Sequence, residues 1–107
     1  MINLLDKVNV KMGRKRTRRV IIRAINIYKI LLNNNGPINT PSLFELALKK
    51  DIVKEYSSLY QALKLLQQHG LIERSFNKGT LEWEVVRVID NDEKLEEYLL
   101  KRTKNEY

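Results

Sequence analysis

Six consecutive residues, Arg14-Lys15-Arg16-Thr17-Arg18-Arg19, hold five cations, and no comparable run occurs elsewhere in the chain. Side chains at this density bind phosphate oxygens, arginine as a planar two-pronged donor and lysine as a point charge. A second set lies farther on. Ser57, Gln61, Lys64 and Gln68 are spaced i, i+4, i+7 and i+11, which puts them on one side of a helix. Hydroxyl, amide and ammonium groups in such a row can hydrogen-bond the edge of a planar ligand. Covalent chemistry has no equivalent carriers. The chain has no cysteine and one histidine, His69, which excludes disulfides, thiol nucleophiles, thiolate metal sites and multi-histidine metal centres. No phosphate-loop glycine pattern or nucleophile–base set is present. The chain is therefore expected not to be an enzyme, and to need no cofactor, metal or small-molecule ligand.

The net charge of +7 is unevenly placed. Residues 1–23 carry eight basic side chains against Asp6 alone, whereas the remainder balances twelve basic with twelve acidic groups. All of the excess thus sits in one segment, a localised electrostatic handle for a polyanion. With 107 residues the chain is one domain, able to bury roughly two-thirds of its unfolded surface in a single core. No apolar run approaches the length of about 18 residues that a spanning helix needs, and the first residues do not resemble a signal peptide. A cytoplasmic protein is expected.

Hydrophobic periodicity supplies the elements that must position these groups. Residues 1–12 are mildly apolar without a clean period, and 1–16 are read as an N-terminal segment with a basic arm. Ile21, Ala24, Ile25, Tyr28 and Leu32 predict a first helix over about 17–32. Val20, Ile27, Ile30 and Leu31 make its apolar surface too wide for one stripe, as in a central helix or one shared with a second subunit. Asn33-Asn34-Asn35-Gly36-Pro37 ends it. Thr40-Pro41 predicts the next start, with Thr40 as the capping hydroxyl, although Ser42 and Glu45 also have capping-box spacing. That helix runs to about Lys50. A third begins between Asp51 and Tyr56, buries Leu59, Ala62, Leu63 and Leu66, and stops at His69-Gly70. Here His69 is expected only to favour the helix dipole.

Residues 71–76 and 80–88 predict a hairpin closed by a three-residue loop, Asn77-Lys78-Gly79. That loop would place Arg74 opposite Glu82, an oppositely charged pair. Residues 90–107 predict a last helix with a narrow stripe, Leu95, Tyr98 and Leu99. The stripe suits either the first helix of the same chain or a mate across a homodimer, and the three residues are candidates for dimerisation.

The order helix, helix, helix, glycine, hairpin, helix, with Ser57-Ser58-Leu59-Tyr60-Gln61-Ala62-Leu63-Lys64-Leu65-Leu66 and then Gly70-Leu71-Ile72-Glu73-Arg74, resembles the winged helix-turn-helix transcription regulators. It looks like the small PadR and MarR type repressors, and like compact regulators encoded by archaeal viruses and plasmids. The resemblance covers about 17–88 and rests on leucine spacing plus Gly-Leu-Ile. It implies an α+β, mainly α fold: a three-helix core, a β-hairpin wing over 17–89 and an additional C-terminal helix. It also implies a sequence-specific double-stranded DNA-binding regulator. Its third helix would enter the major groove, bringing Ser57, Ser58, Gln61 and Lys64 to the bases or phosphates. Thr40 and Ser42 would offer backbone N–H groups to a phosphate. Lys78 would stand at the wing tip, and Arg14, Lys15, Arg16, Arg18 and Arg19 would bind phosphates or the minor groove.

The competing reading is a winged-helix protein-interaction module, with the basic run as a patch for an acidic partner. Structured RNA is a further alternative, although no exposed-aromatic platform of the RNA-recognition type is evident. A DNA-binding homodimer would require half-sites about one helical turn apart.

Overall fold

The computed structural model describes residues 18–101. Four helices and a small antiparallel sheet follow in the order α1 (Arg18–Asn33), β1 (Ile38–Asn39), α2 (Thr40–Lys49), α3 (Tyr56–Gln68), β2 (Ile72–Asn77), β3 (Thr80–Val85) and α4 (Asp92–Leu100). The sheet order is β1-β3-β2. The fold is α+β and mainly helical. No helix of the described residues is long and apolar enough to cross a membrane.

α1 is wide in apolar surface because it is the central helix. It meets α2, α3, α4 and β3, and Ile21, Ala24, Ile25, Ile27, Tyr28, Ile30 and Leu31 are all buried on it. The excess surface that had suggested a second subunit is thus used within one chain. The same correction applies to the C-terminal stripe. Leu95 and Leu99 are buried in the same core, and Tyr98 packs half-buried against it. Leu95 and Leu99 are thus spent on packing within the chain, where α4 meets α1, and Tyr98 keeps part of its ring exposed. Arg18–Glu96 at 3.4 Å and Lys29–Asp92 at 2.7 Å accompany this packing at the surface.

The start of α2 differs from expectation by one residue. Asn39, not Thr40, is the N-cap, and its side-chain oxygen accepts the Ser42 N–H at 2.8 Å. Asparagine does this as well as a hydroxyl, and it releases Thr40 for another role. Thr40 is only 2% exposed. Its hydroxyl accepts the Trp83 indole N–H at 2.8 Å and donates to the Leu81 carbonyl at 3.2 Å. A buried indole N–H without a partner would be costly, so this pair locks α2 to β3.

α3 ends as its glycine predicts. Gly70 has a φ of 72°, its N–H bonds to Gln67 O at 2.9 Å, and Leu71 N–H reaches Leu66 O at 3.1 Å, which is the Schellman arrangement. Leu71 is buried beside it and starts the chain into the hairpin. His69 is the C-cap, as its place before Gly70 predicts, and it is also buried, with Nδ1 3.0 Å from Leu65 O and Nε2 2.8 Å from Lys101 O.

The hairpin register is shifted by one residue from the expected one. Lys78 and Gly79 have φ values of 54° and 81°, so the turn has two residues, both left-handed. This backbone matches the strand twist better than a three-residue loop and pairs Asn77 with Thr80. Arg74 consequently lies opposite Trp83, and Ser75 opposite Glu82, so the expected Arg74–Glu82 pair does not form. A one-residue slip exchanges the faces of a strand. Ile72, Arg74 and Phe76 therefore share the core-facing side with Val85, Trp83 and Leu81, whereas Glu73 and Glu84 oppose each other on the other side.

Candidate nucleic-acid interface

Sequence spacing placed a polar row on α3, and the structure leaves that row at the surface. Leu59, Ala62, Leu63 and Leu66 are fully buried, while Ser57, Gln61 and Lys64 are exposed and Gln67 and Gln68 are half-buried. The exposed row forms a ridge with a depression on each side.

On the hairpin side, a groove of about 570 Å³ is lined by Ser57, Ser58, Tyr60, Gln61, Lys64, Gln67, Arg74 and Trp83. It contains two cations and no carboxylate among the described residues. The turn geometry is responsible. In the expected register Arg74 would have faced the acids, and in the observed one it faces the ridge of α3. Both sides of the hairpin are now explicable: the α3 side is cationic and aromatic, and the acids stand behind it.

On the other side of the ridge, Arg19, Arg23 and Lys54 line a second depression with Ser58, accompanied by Asp51 and Glu55. Arg19 and Arg23 are one helical turn apart on α1, so they project to the same face. The Arg23 guanidinium donates to Gln61 Oε1 at 3.4 Å, and its Nε is buried without a hydrogen-bond partner. Glu55, just before α3, accepts from the Ser57 hydroxyl at 3.0 Å. An acid there favours the helix N-terminus and occupies the Ser57 proton.

A row of aromatic rings fixes the start of α3 to its neighbours. Phe44 and Tyr56 meet edge-on at 4.9 Å, Tyr56 and Tyr60 at 5.2 Å, and Tyr60 and Trp83 at 6.3 Å. Such edge contacts add about 0.5–1.5 kcal/mol each beyond area burial. Burial raises the Tyr56 hydroxyl above its ordinary value, and the neighbouring Tyr60 adds to the shift.

The remaining expected residues are distributed as follows. Ser57, Ser58, Gln61 and Lys64 come together on the ridge. Lys78 is exposed at the hairpin tip. Arg19 lies beside the ridge, but the Arg18 guanidinium turns to Glu96 of α4, away from the groove-lining residues. Arg14, Lys15 and Arg16 lie outside the described residues. Of the two backbone donors expected to meet a phosphate, the Ser42 N–H is taken by the Asn39 side chain, while at Thr40 the hydroxyl is turned inward to Trp83 and Leu81. Arg23, Arg74 and Gln67 were missed. Arg23 was detectable from its four-residue spacing to Arg19, while Arg74 required the register.

Comparison with protein-family models, with curated proteins and with solved structures found no match to this chain.

Proposed function

We propose that this chain is a sequence-specific double-stranded DNA-binding transcriptional regulator of winged helix-turn-helix architecture. In this reading α3 enters the major groove and the β2–β3 hairpin is the wing. One observation carries it: the exposed Ser57–Gln61–Lys64 ridge stands between two depressions that each hold basic side chains. A helix of this width fits a major groove, and cations on both flanks suit the two phosphate backbones that border it. The basic arm at residues 14–16 adds charge directly before α1.

Selection of bound sequences from a random duplex pool, followed by titration of the enriched duplex over a salt series, tests this. A specific duplex should emerge, and affinity should fall by on the order of a thousandfold between about 50 and 200 mM salt for six or more phosphate contacts. No enrichment, with weak binding insensitive to salt, would end the proposal and favour the protein-interaction module.

A further inference from the structure

Phe76 is 76% exposed, more than any other large apolar side chain among the described residues. Single exposed aliphatic residues such as Val86 and Leu100 need no explanation on a protein surface. Phe76 differs from them in position. It is the last core-side residue of β2 before the turn, opposite Leu81, and it stands on the same face as Arg74. One strand repeat separates them, roughly 6.6 Å, and exposed Lys78 follows within the turn. The ring is therefore an exposed apolar blade near the end of the hairpin, on the face that Arg74 shares, with Lys78 following in the turn.

From this geometry we infer that Phe76 is a wedge that inserts between base pairs in the minor groove flanking the α3 site and kinks the duplex there. The inference rests on the DNA-binding reading above. Arg74 and Lys78 neutralise the phosphates on either side of the inserted ring. The ring itself replaces part of the base stacking that insertion disrupts. An aromatic face stacks on any base, so the contact adds affinity and curvature with little preference for sequence. The duplex is favoured over a protein partner because the ring shares its hairpin face with Arg74, which lines the groove beside the Ser57–Gln61–Lys64 ridge.

The test uses the full chain and the duplex enriched from the random pool, with bending measured by energy transfer between labelled duplex ends. Phe76→Ser should leave the melting temperature within a degree or two, since little of the ring is buried. It should weaken duplex binding by about ten- to a hundredfold and straighten the bound duplex. Phe76→Trp should retain both affinity and bend. Unchanged affinity and bend in Phe76→Ser, or a straight duplex bound by the wild-type chain, would overturn the wedge while leaving DNA binding intact. Loss of self-association without loss of duplex binding would overturn it in favour of a protein contact. Failure of the wild-type chain to bind any duplex at low salt would instead remove the reading on which the wedge rests.

Discussion

Arg23 of α1 donates to the side-chain oxygen of Gln61 on the ridge of α3, at 3.4 Å. A glutamine read from sequence alone offers both a donor and an acceptor, the pair that matches adenine. With Oε1 turned to Arg23, the outward group is the Nε2 donor, which matches acceptors such as guanine O6 or N7 and thymine O4. Gln61→Ala should reduce discrimination at one base pair by about 1–3 kcal/mol. Arg23→Ala should shift the preferred base at that same position toward adenine, because Oε1 is released. Parallel selections with the two variants check this, and an unchanged base preference in Arg23→Ala would refute the coupling.

Neighbouring arginines on α1 should behave differently. Arg19 lies beside α3, whereas Arg18 pairs with Glu96 in an exposed contact of little energetic weight. Arg19→Ala should lower the salt slope of duplex binding by about 0.9, the value of one phosphate. Arg18→Ala should leave that slope unchanged. Equal effects would mean that Arg18 turns from Glu96 to the DNA.

Thr40→Val keeps the shape of the side chain and removes the acceptor of the Trp83 N–H. The cost should be about 1–3 kcal/mol of unfolding free energy, the penalty of a buried donor left alone. Denaturant titration measures it directly. A change below half a kilocalorie per mole would show that the indole finds another acceptor.

Leu95→Ala separates folding from assembly. Leu95 is buried in the chain's own core, so its truncation should cost about 2–5 kcal/mol. The loss should not depend on protein concentration. Melting curves over a hundredfold range of concentration provide the check, and a concentration-dependent loss would restore the intersubunit role.

Tyr28 predicts an alkaline transition. Its hydroxyl donates to the Arg87 carbonyl and accepts the Ile89 N–H at 2.9 Å, which pins the segment after β3 to α1. Burial raises its pKa above the ordinary 10.0, and the nearby Asp90 adds to the rise. A raised value in the folded state means that the unfolded chain ionises first. Its stabilisation is therefore complete below about pH 10 and declines as pH rises through the folded value. Tyr28→Phe should be less stable at neutral pH and should lose stability less steeply above pH 10.

Helix positions, the Gly70 stop and the polar row on α3 were all legible in the residue order, because a 3.6-residue period and a positive-φ glycine are local requirements. Leu59, Leu63 and Leu66 could hardly face anywhere but inward once that period was set. Three features were not local. The side of the hairpin on which Arg74 and Phe76 stand depended on a one-residue choice of turn, which Asn77-Lys78-Gly79 permits either way. The capping role passed from Thr40 to Asn39 because Trp83, more than forty residues distant, needed an acceptor. The apolar stripe of α4 was equally suited to a second subunit or to α1, and packing within the chain used it first. Local backbone and periodicity rules act within a turn or two of the chain, whereas strand register, buried hydrogen-bond partners and shared helix faces are settled only when distant segments compete for the same contact.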